Sequence, residues 1–330
     1  MEVYLACENS SGDPIDTYVV TASAMLVIVK LTLLRLQRST LSTNLFSAIQ
    51  DWCSVEDAKS RDIMIQHARM ARIISLSLFY SGFFAFMLYM LRLLPVVTAN
   101  ERTFYLPTSC LFESVTSLQY VLITFYQVVQ LFIAYAGNCC TEGIFVGITL
   151  HLCGQLELLM IDFQQISRRR HKQKKGSLVE EFVVRHRRLL RLTETIEDTY
   201  NIIILTQIFT SAILICITGL QLIVSLAIHD FFLVWRSIMS FNILMIQLFL
   251  YSYMGETLSS KTQAISQAAY LSEWYDLPTN IMRDLYFIIA RANVPVRIRA
   301  GKFYNIDLNS FKNVLKASVS YFSVLQIMLI

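Results

Sequence analysis

Glu113, Glu142 and His151 are ionisable residues set within or beside long runs of apolar sequence. At membrane depth such groups are costly and are functional suspects by default. For Glu142 and His151 the expectation is plainer: the helix that carries them overshoots the bilayer and delivers both to the cytosol. Other chemistry finds no spacing to work with. The sequence has no GxSxG elbow, HExxH pair, Walker loop or Rossmann glycine pattern, and its five His are scattered. Seven Cys (Cys7, Cys53, Cys110, Cys139, Cys140, Cys153 and Cys216) have no CxxC pair and no His at zinc-site distance. They read as small apolar packing residues. The expectation is a non-enzyme with no metal and no cofactor.

The elements that hold these residues follow from composition. The chain of 330 residues is 55% hydrophobic and only 16% charged, with mean hydropathy +0.51. A soluble domain carries roughly 45–50% apolar and about 25% charged residues, so lipid must be part of the solvent. Ten Gly and five Pro are too few for the turns of a β-barrel, and the apolar runs are continuous rather than alternating. An all-α, polytopic transmembrane helix bundle remains. The net charge of +4 lies between apolar runs and does not indicate nucleic acid. A hydrocarbon core needs about 20 apolar residues per helix. Six segments qualify: Tyr18–Leu36, Ile73–Leu94, Tyr120–Leu150, Tyr200–Ile228, Phe231–Tyr253 and Phe311–Ile330.

The third segment is ambiguous, because apolar character extends from Leu111 to Ile166 with Glu113, Glu142, Glu157 and Asp162 embedded. Loop charge decides, since Lys and Arg accumulate on cytoplasmic loops. With one span there, a single side collects Arg38, Lys59, Arg61, Arg69 and Arg72, ten basic residues between Arg168 and Arg191, and Lys261, Arg283, Arg291, Arg297, Arg299 and Lys302. The other side has only Arg102 between Pro95 and Leu111. Splitting the segment would place the ten-residue cluster outside, so a single span is expected, and the C-terminus is extracellular. The dense cluster is a solvated loop or a site for anionic headgroups. Residues 1–17 hold Glu2, Glu8, Asp13 and Asp16 without Lys or Arg, and Asn9-Ser10-Ser11 forms a glycosylation triplet at Asn9. This start reads as an extracellular loop, with a preceding span expected to be missing.

Four motifs then follow in order: Gly255-Glu256, the box Trp274-Tyr275-Asp276-Leu277-Pro278, the step Ala300-Gly301-Lys302-Phe303, and Ser320 to Leu325. With Asp51-Trp52 and Gly154-Gln155-Leu156-Glu157 upstream, the chain resembles the insect odorant receptor family over nearly its whole length. The resemblance implies a seven-span bundle, inverted relative to G-protein-coupled receptors, whose first span is absent here through a truncated gene model or a degenerate copy. It implies the odorant-binding subunit of a heteromeric ligand-gated cation channel. That subunit assembles with a common odorant co-receptor into a heterotetramer, in the plasma membrane of olfactory neuron dendrites. A gustatory receptor should show a T-Y box and a Q-F ending, which Ser320-Tyr321 and Gln326-Ile327 depart from. A G-protein-coupled receptor should show an acidic-Arg-aromatic triplet and N-P-x-x-Y, and a transporter internal repeats.

The resemblance assigns the last helix to a pore. Ala317, Ser320, Val324 and Met328 share one of its faces, and a ring of Val324 and Met328 could gate by dewetting. Lipid or helix packing is the other reading of that face. Lys312 and Lys316 read as interfacial anchors, with Asp307 the nearest acidic candidate for a cation mouth. Residues 255–310 are the implied cytoplasmic anchor, helical over 257–270 and 280–292, with Trp274, Tyr275 and Pro278 at a subunit interface or an internal packing corner. A small volatile ligand is expected between the outer halves of the first four spans. The candidates are Tyr18 and Met25, Phe83, Phe86, Met87 and Met90, and Tyr120 and Thr124, each of which also suits ordinary core packing.

Overall fold

The computed structural model describes residues 14–55, 57–91, 116–164, 177–229 and 231–329. Asn9 and Glu113, along with the Arg168–Lys175 half of the basic cluster, lie outside these residues. Eight helices account for nearly all of the description: α1 (Pro14–Leu36), α2 (Arg38–Ser54), α3 (Ala58–Leu91), α4 (Ser117–Gln164), α5 (Ser177–Ile228), α6 (Phe231–Tyr270), α7 (Thr279–Ala292) and α8 (Leu308–Leu329). Among the described residues α1, α3, α4, α5 and α6 are long and apolar enough to cross a membrane. The side chains of the last five residues of α8, 325–329, lie outside the description.

Length is what separates these helices from bare spans. At 1.5 Å per residue, the 48 residues of α4 extend about 72 Å and the 52 of α5 about 78 Å, against a hydrocarbon core of about 30 Å. Within the ambiguous Leu111–Ile166 region, helix α4 runs unbroken over its described part, Ser117–Gln164. The expected span 231–253 and the expected helix 257–270 form one continuous rod, α6. Each long helix therefore has a membrane-depth part and a projecting part, and the projecting parts build a second bundle.

The main core sits in that projecting bundle. Phe145, Cys153, Leu156, Leu159 and Phe163 of α4 meet Leu189, Ile196 and Ile203 of α5 and Met254, Leu258 and Ile265 of α6. Helix α7 closes it with Ile281, Leu285, Ile288 and Ala292, an i, i+4, i+7, i+11 stripe, while Tyr286 and Phe287 face outward. Ion pairs cross-link the helices at its edges. Asp51 of α2 receives Arg188 of α5 at 2.7 Å and His151 of α4 at 3.2 Å. Asp162 receives Arg185 at 2.6 Å, and Glu157 receives Lys261 at 2.7 Å. Arg185 and Arg188, read from sequence as part of a solvated loop, are thus helix fasteners.

One departure from an all-helical chain has a local cause. Arg299–Ala300 (β1) and Tyr304–Asn305 (β2) pair antiparallel across a turn in which Gly301 and Lys302 are left-handed, at φ 58° and 66°. Glycine takes that conformation without a Cβ clash, so the Ala300-Gly301-Lys302-Phe303 motif encodes a hairpin. The hairpin docks on α5, where the Gly301 N–H donates to the Asn201 carbonyl and Arg299 pairs with Glu197 at 2.7 Å. The strand after it passes so close to α6 that a Cβ on Gly255 would collide with the Ile306 carbonyl. Asp307 then caps α8, its Oδ1 accepting the Ser310 N–H at 2.7 Å. That caps a helix end rather than leaving the carboxylate free for a cation.

Candidate ligand cavity

At membrane depth the five spanning helices leave a cavity of about 300 Å³ between α1, α3, α4, α5 and α6. Two of its walls are regular stripes. Helix α3 contributes Leu78, Ser81, Gly82, Ala85 and Phe86, at i, i+3, i+4, i+7 and i+8. Helix α4 contributes Gln127, Leu131, Ala134, Tyr135 and Asn138 along the same kind of stripe. The walls are mostly apolar, and the small residues Ser81, Gly82, Ala85 and Ala134 keep the space open where larger side chains would fill it. Phe86 is held by its neighbours: its ring stacks on Tyr135 at 6.0 Å and meets Phe132 edge-on at 6.0 Å. The Tyr135 hydroxyl in turn donates to the Phe79 carbonyl at 2.8 Å.

Further along α4 the cavity ends at a buried charge. Lys30 of α1, fully buried, donates from Nζ to Asn138 Oδ1 at 2.7 Å and to Glu142 Oε1 at 3.3 Å. Its ammonium lies 5.8 Å from the centre of the Tyr251 ring. The expectation that Glu142 reaches the cytosol is therefore overturned. Glu142 is buried against Lys30 and lines the cavity, because α1 packs beside α4 at that level and supplies the counter-charge an isolated carboxylate in lipid would lack. His151, nine residues on, sits in the projecting bundle with Asp51.

The sequence-derived ligand residues divide into three groups. Met25 and Phe86 line the cavity, Met25 at its rim with 60% of its surface exposed. Met90, Thr124 and Tyr120 continue the α3 and α4 stripes one or two turns beyond it, half-buried and outside the lining. Tyr18, Phe83 and Met87 are exposed on outer helix faces. Sequence reasoning passed over Lys30 and Gln127. A Lys inside the apolar run 18–36 was the available signal for the first.

The remaining candidates are distributed elsewhere. Ala317, Ser320 and Val324 form an exposed face of α8, while the side chain of Met328 is outside the description. Ser318, on the opposite face, is buried, and its carbonyl accepts from Cys216 Sγ at 3.3 Å. Trp274 packs against the main core, Pro278 is half-buried, and Tyr275 is 66% exposed.

Comparison with known proteins follows this geometry closely. The chain is 25% identical to odorant receptor 2a of Drosophila melanogaster over 217 residues, which is 62% of this chain and 55% of that receptor. It is 27% identical to the odorant receptor coreceptor of Aedes aegypti over 149 residues, 45% of this chain and 31% of the coreceptor. The chain thus spans about half the length, or less, of the curated relatives it matches. The solved insect olfactory receptor OR5 from Machilis hrabei superposes with TM-score 0.82 over 97% of this chain and 83% of that one, at 17% identity. The same receptor in complex with eugenol superposes with TM-score 0.78, over 98% of this chain and 87% of that one, at 15% identity. At such identities the likeness is one of fold, a helical transmembrane bundle. Residues 12–319 match the family model described as 7tm Odorant receptor, and by that match the chain belongs to the odorant receptor family, a family of receptors rather than enzymes.

Proposed function

We propose that this chain is the odorant-binding subunit of a heteromeric ligand-gated cation channel completed by a common co-receptor. Its place is the plasma membrane of olfactory sensory neurons, with the C-terminus outside. The observation that carries the proposal is the mostly apolar, partly open cavity of about 300 Å³ between five spanning helices, at the lower end of the range for small-molecule sites. A volatile ligand entering it replaces empty space with van der Waals contact.

The cavity is also mechanically connected to the last helix. Leu214 and Leu244 line the cavity and belong to one apolar cluster with Phe311, Val314 and Leu315 of α8. Five residues beyond Leu214, Gly219 lets Phe322 of α8 approach α5 closely. A ligand that favours one packing of this cluster shifts a closed-to-open equilibrium at α8 by its differential affinity for the two states. In the assembled channel the exposed face of Ala317, Ser320 and Val324, continued by Met328, lines the pore. Tyr275, with Trp274 and Pro278 behind it, meets a neighbouring subunit.

Co-expression with an insect co-receptor and recording of odour-evoked cation current tests this reading. Current is expected from the wild type and is abolished by Ala85→Trp, which fills the cavity. Silence across a broad odorant panel, with surface delivery confirmed, overturns it.

A further inference from the structure

Most of the polar groups in the cavity wall are committed, Gln130 and Thr210 at its less buried positions aside. Ser23 donates to the Val19 carbonyl at 2.7 Å and Ser81 to the Leu78 carbonyl at 3.0 Å. Tyr135 is engaged with Phe79, and Asn138 Oδ1 with Lys30. Gln247 Oε1 accepts from Gln207 at 3.1 Å. The charge of Lys30 is already met by Glu142, so the cavity presents no net charge to recruit an ion.

Among the buried polar side chains of the wall, Gln127 is the exception. It lines the cavity, is only 4% exposed, and neither its Nε2 nor its Oε1 has a hydrogen-bond partner. A buried carboxamide left this way loses its hydration without compensation, a penalty native proteins seldom retain without a use. Both kinds of valence are open, one to donate and one to accept. A carbonyl ligand answers the N–H only, and a hydrocarbon answers neither. A hydroxyl answers both, accepting from Nε2 and donating to Oε1.

Resting on the reading of this cavity as the odorant site, we infer that Gln127 selects a neutral ligand carrying a hydroxyl group on an apolar body. At about 30 Å³ per water-sized unit the space holds on the order of ten non-hydrogen atoms, the size of a medium-chain alcohol. Selectivity arises from the asymmetry between a satisfied and an orphaned buried amide, which discriminates more sharply than apolar fit.

The test uses the full chain in lipid nanodiscs. The midpoint of thermal unfolding is titrated with octane, octanal and octan-1-ol, for the wild type and for Gln127→Leu; a ligand that binds the folded state raises the midpoint. Partition into lipid is common to both proteins and cancels between them. The wild type is expected to bind octan-1-ol about tenfold more tightly than octane, with octanal between. Gln127→Leu is expected to bind octan-1-ol about tenfold more weakly than the wild type while binding octane as well or better. That retained octane response shows the variant's cavity intact. Gln127→Met, unbranched and of similar length, gives the same readout should Leu disturb α4. Equal affinities for alcohol and alkane in the wild type, or an alcohol preference that survives in both variants, overturns the hydroxyl assignment alone. Failure of all three ligands to shift the wild type defeats the cavity reading beneath it.

Discussion

The two halves of the long helices solve different problems. In the projecting bundle α4, α5 and α6 bury a continuous apolar core and tie their edges with carboxylates that each meet a cation from another helix. At membrane depth the same three helices, with α1 and α3, surround empty space and leave Gln127 without a partner. The difference follows from solvent. In water each fully buried Leu, Ile or Phe contributes about 1.5–3 kcal/mol, so voids are squeezed out. In lipid the tails are as apolar as the side chains, and only packing and hydrogen bonding hold helices together. A void there forfeits less, and the rigid projecting bundle fixes the helix spacing that keeps it open.

The largest expected effect breaks the buried Lys30–Glu142 ion pair at membrane depth. Lys30→Met leaves Glu142 buried without its counter-charge and is expected to destabilise the chain by about 3–5 kcal/mol. The unfolding midpoint in detergent and delivery to the cell surface measure it. Adding Glu142→Leu should recover most of the loss, because two apolar side chains need no pairing. Failure of the double variant to recover would show that the pair does more than neutralise itself.

Next comes the seam between α6 and the strand leading into α8. Gly255→Ala forces a Cβ onto the Ile306 carbonyl. Backbone cannot swing aside as a side chain can, so a loss of about 3 kcal/mol is expected, the upper end of overpacking costs. Folded yield on size-exclusion chromatography reads it. A near-neutral Gly255→Ala would mean that the hairpin and α8 are free to slide against α6, and the projecting bundle would not be the rigid partner in the comparison.

What could be read from sequence divides along the same line. The projecting bundle was legible where periodicity and charge are local. The stripe 281, 285, 288, 292 marks α7, and the ten-residue basic cluster argued for an unbroken α4, which the structure shows. The hairpin motif was visible as a motif, although its left-handed turn was not. The cavity was harder, because bulk misleads. Aromatic and Met residues drew attention to Phe83 and Met87, yet α3 turns the small residues Ser81, Gly82 and Ala85 inward. Lys30 and Glu142 are separated by 112 residues, and nothing local in either span shows that α1 and α4 lie side by side.

A smaller effect sharpens the comparison through pH. Asp51 lies in α2, outside the spans. Burial pushes its carboxyl up, but hydrogen bonds and charge from His151 and Arg188 outweigh this and hold it below the usual carboxylate range. A depressed folded value contributes stability that is complete above the unfolded value near 4, and that is lost as pH falls through the folded value. Asp51→Asn is therefore expected to lower stability by about 1–2 kcal/mol at neutral pH, with Arg188 half in solvent. It should also flatten the acid limb of the unfolding midpoint between about pH 5 and pH 3. Parallel acid limbs in the two proteins would remove Asp51 as a fastener of the projecting bundle.

The smallest effect on the single chain tests whether the projecting bundle also has a partner. Tyr275 is 66% exposed beside a Trp274 that packs inward, so truncating it removes little that the chain itself uses beyond an edge-on contact with that ring. Tyr275→Ala is expected to move stability by less than about 0.5 kcal/mol. An exposed aromatic at an assembly interface is different, since truncating a buried interface Tyr costs about 2 kcal/mol or more in association. The same substitution should then weaken co-purification with a co-receptor by more than tenfold while the unfolding midpoint stays put. If co-purification is unchanged, the 274–278 box serves to turn the chain from α6 into α7, and the subunit contact must lie on another exposed face, of which Tyr286 and Phe287 on α7 are the nearest.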